Sequence, residues 1–360
     1  TQRMIERARL KKELIHGEIM AAIDITKGHP WTGQVKRNSE GELKEPWVMG
    51  YKDDDLYFQW AVIKIVGDDV PFILDAVPVV RGRDRADIVD DLLGSALSML
   101  PNLSLVMMDR EFDNDGVKTV CEDHGVSYLN PARVFTHDEH ATHIKEMEAN
   151  GETFDVTEQQ RINGGESRKC IYLPKREYED SESDNSSSEQ TASSNENPVR
   201  QEMLDEWELE EDDLESERSE KETFSSLLAD IEEDEDLPER ETFDAPIVPF
   251  ETSHPLVETE VANKREMAHQ IGRMMSKYKR RWGIENGFKK VKKFLCRTTS
   301  KDHQYRYFNF AFACVLYNCW RIVDLLVQLA IKDDPTYSPE ITANLFLTIA
   351  KKYYGLDPPD

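Results

Sequence analysis

Cysteine is scarce in this sequence, with five residues in 360, and no two of them form a CxxC pair. Neither a cysteine-based zinc site nor a disulfide framework is therefore indicated, which favours a reducing, cytoplasmic setting. A secretory signal peptide is also missing. The first twenty residues, TQRMIERARLKKELIHGEIM, are amphipathic and charged where a signal peptide would carry an apolar core.

An uncharged hydrophobic run of membrane-spanning length is lacking too. The most apolar stretch begins at Tyr307 and is long enough to cross a bilayer. However, it contains Asn309, Asn318, Arg321 and Asp324, and ionisable groups at membrane depth are costly. The stretch is predicted to be a buried core helix, and no membrane partner is expected.

Basic charge is in deficit, which at first argues against a nucleic-acid-binding protein. The chain has 45 Lys and Arg against 71 Asp and Glu, a net charge of −26. From Lys175 to Pro246 there are 28 acids and 6 bases, a net of −22, so the remainder has 71 − 28 = 43 acids and 45 − 6 = 39 bases. From Lys264 to Arg297, 12 bases face only Glu266 and Glu285. The overall charge therefore does not exclude a polyanionic partner.

The acidic segment is rich in Ser and poor in apolar residues, as in EYEDSESDNSSSEQTASSNENPV. Such a composition cannot offset the entropy of ordering, so much of the segment is predicted to be disordered. Two interpretations remain open. The segment either keeps a protein of a salt-rich (halophilic) cytoplasm hydrated, or forms a flexible tether that screens or mimics DNA.

The region before this segment is predicted to be α/β. Two helical patterns, the first with Asp84 as N-cap and the second closed by Gly125, lie among apolar strands. The order is β-β-β-α-β-α-β, a mixed sheet with helices around it. The strands are GEIMAAIDIT, DLYFQWAVIKIV, VPFILDAVPVV, LSLVMMD and VSYLNPARVF.

Four regions follow from these shifts in pattern. Residues 1–17 are predicted to be a linking helix, 18–135 the first part of the core, 136–258 an insertion that contains the acidic segment, and 259–360 the rest of the core with the C-terminal helices. Short strands are expected on either side of the acidic segment, at RKCIYLP and APIVPFETS.

One helical face carries the strongest chemical signal. Tyr278, Arg281, Glu285 and Lys292 stand at relative positions 0, 3, 7 and 14. At about 100° per residue they fall within a sector of roughly 60° on one predicted helix. A tyrosine and two cations beside a carboxylate can clamp phosphates on either side of a metal.

This Y-x2-R-x3-E-x6-K pattern resembles the signature of a large group of insertion-sequence transposases with a DDE catalytic triad on a ribonuclease H-like fold. MMDREF is similar to the block that carries the second carboxylate, and AAIDIT is similar to the first block. The resemblance covers most of residues 18–330. Glu111 departs from it, because many relatives have a small residue there. The 285 − 109 = 176 residues between the second and third carboxylates require an insertion.

The resemblance implies that Asp24, Asp109 and Glu285 are catalytic and bind two Mg²⁺ ions, for which Mn²⁺ can substitute. Two-metal phosphodiester chemistry needs such oxygen ligands. The implied enzyme is a transposase that cleaves DNA at the ends of an element and joins them to target DNA, working as a homodimer on paired ends. Alternatives are a transposase-derived DNA-binding protein without catalysis and a non-transposing nuclease of the same fold.

Five residues are predicted to contact DNA. Tyr278, Arg281 and Lys292 come from the signature, and Lys289 and Trp282 lie on the same basic stretch. Structural alternatives stay open for four of the candidate site residues. Asp24 could be a strand-end or turn aspartate, and Asp109 could cap the helix that follows it. Glu285 and Lys289 have the spacing of an ordinary helical ion pair, and Trp282 is as compatible with packing as with stacking on a flipped base.

Other candidate ligands are weaker. Asp75 and the run Asp53, Asp54 and Asp55 compete with Asp24 and are interpreted as solvated or turn residues. His137, His140 and His143 in HDEHATH suggest a zinc site, but on a helix they would spread over about 120°, and no cysteine or fourth ligand is expected nearby, so no zinc is predicted there.

Overall fold

The computed structural model describes residues 1–6, 15, 17–31, 35–39, 43–50, 56–67, 70–160, 167–175, 246–331 and 339–355. The acidic segment that was predicted to be disordered lies outside these residues, except for its two ends at Lys175 and Pro246. The run Asp53 to Asp55 also lies outside them.

A mixed sheet forms the centre of the protein, as predicted. Its first five strands are β1 (Ile19–Pro30), β2 (Tyr57–Val66), β3 (Ile73–Pro78), β4 (Leu103–Met107) and β5 (Ser127–Pro131). They lie in the order β3-β2-β1-β4-β5, with β2 antiparallel to its neighbours and β1, β4 and β5 parallel. This is the ribonuclease H-like arrangement, and it confirms the predicted fold class.

Three further strands extend the same sheet beyond β5. They are β6 (Asp155–Gln159), β7 (Arg168–Pro174) and β8 (Ile247–Thr252). Strand β8 pairs antiparallel with β5, and β7 and β6 follow, giving an eight-stranded sheet. The predicted insertion therefore contributes strands to the central sheet. The limits proposed for the four regions stay predictions.

Helices cover both faces of the sheet. One face packs against α1 (Arg85–Met99) and α2 (Asp115–Asp123), and α3 (Glu139–Asn150) packs against the added strands. Asp84 caps α1 by accepting a bond from the Ala86 amide, and Gly125 follows α2 with φ of +67°, as predicted. The other face packs against α4 (Lys264–Lys279), α5 (Trp282–Phe294), α6 (His303–Ile331) and α7 (Ala343–Tyr353).

The single helix predicted through the basic stretch was wrong in one respect, because the chain forms two helices, α4 and α5. At the junction the Arg281 amide bonds to the Tyr278 carbonyl and the Ile284 amide bonds to the Arg281 carbonyl, each 2.9 Å and each spanning three residues. This tighter turn rotates the start of α5 relative to α4. The 60° sector calculated for one straight helix therefore does not apply.

Within the described residues, α6 is the one helix with the length and hydropathy needed to cross a membrane, and half of its most apolar window is buried in the protein. Its polar residues face the core. The Asn318 amide group, for example, bonds to the amide (2.9 Å) and carbonyl (2.7 Å) of Ile73 on β3. The prediction of a buried core helix is therefore confirmed for one side of α6 and is wrong for the other, which is exposed.

Candidate active site

Two aspartates lie side by side on neighbouring central strands of the sheet. Strands β1 and β4 are parallel neighbours in which Ala22 pairs with Met107. Asp24 and Asp109 each lie two residues further on, so they are level with each other. Asp24 is 9% exposed on β1. Asp109 follows β4 and begins a short 3-10 turn by accepting a 2.9 Å bond from the Glu111 amide.

Glu285 comes from the first turn of α5, which packs on β1 and β2. Lys64 is buried on β2 and stabilises this turn, because its ammonium group donates a hydrogen bond to the Gly283 carbonyl. The close approach depends on a glycine at 287, since a Cβ there would lie 2.8 Å from the Lys64 Nζ. Lys64 was missed from the sequence, although two glycines four residues apart in a helix signal a close approach.

Arg281 bridges two of the carboxylates. Its guanidinium lies 3.6 Å from an Asp24 oxygen and 3.0 Å from a Glu285 oxygen, and its side chain is 9% exposed. From the sequence we expected Arg281 to contact phosphate. In the structure it faces the carboxylates, and in this arrangement it organises the acidic site.

The site holds more negative charge than Arg281 offsets. Burial raises the pKa of Asp24 well above its ordinary value, and repulsion from Asp109 and Glu285 adds to this, while Arg281 lowers it. Burial also raises the pKa of Asp109, against the lowering effect of Arg281. Both aspartates are therefore harder to ionise than free carboxyl groups.

These residues fit a divalent cation of the Mg²⁺ or Mn²⁺ type. Three carboxylates supply the hard oxygen donors that such ions prefer. The raised pKa values of the two aspartates mean that added positive charge would stabilise the ionised site. The Glu285 side chain is 39% exposed, so a cation can reach this carboxylate from solvent.

Tyr278 has a different environment from the one predicted. Its side chain is 2% exposed, its ring packs edge-on against Phe250, and its hydroxyl donates a 3.3 Å bond to the Met108 carbonyl. Met108 directly precedes Asp109. Tyr278 therefore connects the end of α4 to the residue that precedes Asp109, and its predicted contact with DNA stays a prediction.

The other predicted DNA contacts lie on the surface of α5. Lys289 and Lys292 are exposed, and Trp282 is 36% exposed at the first position of the helix. These residues share an element with Glu285. Their contact with DNA stays a prediction.

The rival residues differ in placement. Asp75 lies on β3, separated from β1 by β2, and accepts a 2.8 Å bond from the Ala76 amide. Glu111, the departure in the second block, pairs with Arg85 at the start of α1. This ion pair ties the turn after Asp109 to α1 and gives the unusual glutamate a structural role.

The histidine motif leads to a buried ion network that sequence reasoning missed. His140 bonds to the Tyr172 hydroxyl at 3.0 Å and to Glu251 at 2.9 Å, while Lys118 and Arg168 also pair with Glu251. Cys170, His140 and Glu251 bring their ligand atoms within 4.8 Å of one another. Because two permanent cations already face Glu251, an additional divalent ion would be repelled. His143 bonds to Asp155 instead.

Two solved structures are similar to the chain. One is a piggyBac transposase synaptic complex with hairpin DNA, with 8% identity and a TM-score of 0.49, covering 94% of this chain and 54% of that one. This chain thus spans about half the length of the piggyBac transposase. The other is the Drosophila P element transposase strand transfer complex, with 11% identity and a TM-score of 0.18, covering 94% and 71%. No curated protein matches the chain.

A family model described as transposase DDE domain matches residues 35–319. The match includes Asp109 and Glu285 but begins after Asp24. The assignment of Asp24 to the site is therefore supported by its position beside Asp109 on the neighbouring strand, and not by the family model. The matched residues make up most of the sequence and contain β2 to β8 as well as α1 to α5 and half of α6. The chain belongs to the transposase DDE domain family.

Proposed function

We propose that this protein is an insertion-sequence transposase of the group with the Tyr-Arg-Glu-Lys signature. It cleaves DNA strands at the ends of its element and transfers them to target DNA in the cytoplasm. The observation that carries this proposal is the level placement of Asp24 and Asp109 on adjacent parallel strands, with Glu285 joined to Asp24 through Arg281.

Each residue of the site has a distinct task in this proposal. Asp24, Asp109 and Glu285 would hold two Mg²⁺ ions, which would supply activation of the attacking oxygen and stabilisation of the leaving oxygen. Arg281 keeps the Glu285 carboxylate turned towards Asp24. Tyr278 and Lys64 are positioning residues, because they fix the two ends of the α4–α5 junction against Met108 and β2.

DNA is the proposed partner, through element ends and target. Lys289 and Lys292 contact its backbone, and Trp282 contacts a base near Glu285. The protein works as a homodimer that holds two ends together.

The experiment combines purified protein, labelled element-end DNA and Mg²⁺ or Mn²⁺. Asp24→Asn, Asp109→Asn and Glu285→Gln should each reduce strand cleavage by several orders of magnitude while the circular dichroism spectrum stays unchanged. Asp75→Asn is the matched control and should cleave normally. Full cleavage by any triad variant would remove that residue from the site.

The same assay separates the two alternative functions. Binding of DNA without cleavage by the wild-type protein indicates a transposase-derived DNA-binding protein. Cleavage without joining to a target plasmid indicates a nuclease.

A further inference from the structure

One side of α6 is an uninterrupted apolar surface. From Phe308 to Ile331, every residue of this helix that is exposed or half-exposed is apolar. Phe308 is 61% exposed, Phe312 45% and Leu326 43%. The Phe308 and Phe312 rings lie stacked with centroids 6.0 Å apart. A contiguous apolar patch of this kind marks an interaction site.

The spacing on this side matches another helix as partner. Seven positions alternate by four and three residues, the heptad pattern of a coiled-coil seam. We call them the α6 seam: Phe308, Phe312, Val315, Cys319, Ile322, Leu326 and Leu329. The seam extends over about 32 Å at 1.5 Å per residue. All seven side chains are exposed or half-exposed.

We propose that the α6 seam pairs with the α6 seam of a second copy of this chain. A two-fold interface places the same patch of each subunit against the other, so a patch that carries charge would face like charge. Between Phe308 and Ile331, which the structure describes in full, the exposed and half-exposed positions carry no charged residue, and two identical copies of this stretch can therefore meet without repulsion. The proposal identifies the interface of the homodimer named under the proposed function. Only the role of that dimer, holding two DNA ends together, rests on the proposed function.

Two other occupants suit this surface less well. The chain from Lys175 to Pro246 has 28 acids among its residues, and covering an apolar stripe with them would desolvate carboxylates. A lipid surface is disfavoured because helices that lie on membranes expose a polar face rich in Lys and Arg beside the apolar one, whereas the polar side of α6 is buried in the protein. The opposite side of α6 is fixed in the core by buried Arg321 and Asp324.

Cys319 gives a direct probe of the pairing. It is the fourth of seven seam positions, so both a parallel and an antiparallel two-fold arrangement bring it close to its own copy. Cys121, Cys170 and Cys314 are buried, and Cys296 is the other thiol that is accessible. A Cys296→Ser variant therefore leaves Cys319 as the thiol available for a link between subunits.

The test uses the full 360-residue chain without DNA or metal. Sedimentation velocity over a dilution series should show a dimer, and diamide, which is reduced as it oxidises two thiols to a disulfide, should link the Cys296→Ser variant. Phe312→Glu with Leu326→Glu should raise the dimer dissociation constant about a hundredfold or more. The matched control is Ile349→Glu, which alters a 53% exposed residue of α7 outside the seam and should leave the dimer intact.

A chain that is monomeric throughout the series would overturn the proposal. So would a dimer that survives both seam substitutions, or cosedimentation of the wild type with vesicles of anionic lipid that the seam substitutions abolish. Because no catalysis is required, an Asp24→Asn chain should dimerise equally well. A failed cleavage assay and a failed pairing assay are therefore distinguishable.

Discussion

At the scale of single residues, the contact between Lys64 and α5 is the most sensitive point of the site. The two helix glycines differ in their surroundings. A Cβ at Gly287 would lie 2.8 Å from the Lys64 Nζ and 3.1 Å from its Cδ, whereas a Cβ at Gly283 would meet Val66 at an ordinary 3.6 Å. Lys64 cannot move away easily, because it is buried and bonded to the Gly283 carbonyl.

We expect Gly287→Ala to lower the free energy of unfolding by about 1–3 kcal/mol, as overpacking does, and to reduce cleavage more than stability because Glu285 is displaced. Gly283→Ala is the control and should be neutral or stabilise by up to about 1 kcal/mol, since alanine favours helix. Urea unfolding and the cleavage assay measure the two effects. Equal behaviour of the two variants would contradict this account of Lys64.

Glu251 gives a second residue-scale prediction, on pH. Burial alone would raise the pKa of Glu251, but the His140 hydrogen bond and the charges of Lys118 and Arg168 outweigh it and lower the pKa to about 2 from an ordinary 4.5. As the pH falls below 4.5, the unfolded chain takes up this proton before the folded one. The stabilisation by Glu251 is therefore present above pH 4.5 and is lost as the pH falls towards 2.

Glu251→Gln should accordingly cost about 3 kcal/mol at pH 7, since each pKa unit corresponds to about 1.4 kcal/mol and breaking a buried pair costs a similar amount. The difference from wild type should shrink as the pH falls from 4.5 towards 2. Urea midpoints at several pH values check this. Glu158→Gln, on the exposed side of β6, serves as control and should show no such trend.

At the scale of elements, the α4–α5 junction separates two kinds of basic residue. Arg281 faces inwards to Asp24 and Glu285, whereas Lys289 and Lys292 lie on the exposed side of α5. From the sequence, all three were predicted to contact DNA. In the structure Arg281 offsets part of the carboxylate charge, and Lys289 and Lys292 are the two that lie on the surface.

Lys289→Ala with Lys292→Ala should weaken binding to element-end DNA and reduce the slope of log affinity against log salt by about 2, because each lost phosphate contact contributes about 0.9. Arg281→Ala should leave this slope unchanged while abolishing cleavage. Lys351→Ala with Lys352→Ala on α7 controls for net charge. Fluorescence anisotropy at several salt concentrations supplies the slopes, and unchanged slopes in the double lysine variant would exclude α5 from the DNA contact.

The elements also mark what sequence could and could not predict. The strands β1 to β5 follow from apolar patterns, and α1 follows from its Asp84 cap, because these signals are local. The break at Arg281 has only a weak local signal, the poor helix former Gly283. It accompanies the tertiary contacts of Tyr278 with Met108 and of Lys64 with Gly283. The addition of β8 to β5 pairs Leu129 with Thr252, which no local pattern indicates.

The same limit applied to the site. Asp24, Asp109 and Glu285 were proposed from motifs, whereas the bridging position of Arg281 required the fold.

At the scale of the whole molecule, the acidic segment leaves and re-enters the sheet at one place. The Lys175 amide bonds to the Pro246 carbonyl at 2.8 Å, and Pro174 pairs with Ile247 at the end of β7 and β8. The described ends of this segment are therefore adjacent. A short linker can join them without changing the register of either strand.

Deleting Ser181 to Leu237 and joining the ends with a short Gly/Ser linker should leave a folded, metal-dependent nuclease. Non-specific DNA binding should rise, most clearly at low salt, where the Debye length is about 30 Å at 0.01 M. A second variant with a Gly/Ser segment of the original length separates charge from length. Thermal unfolding and cleavage check the fold, and a large fall in melting temperature would show that the segment is structural.

The β7–β8 junction also divides the residues of the proposed active site. The chain before it contributes both aspartates, and the chain after it contributes Glu285, Arg281 and a strand, β8, that lies between β5 and β7. A single cut in the acidic segment would thus yield two fragments, neither with a complete acid set, that regain it only by sharing one sheet. The two parts of the chain therefore depend on each other, because completion of the sheet and assembly of the proposed active site are the same event.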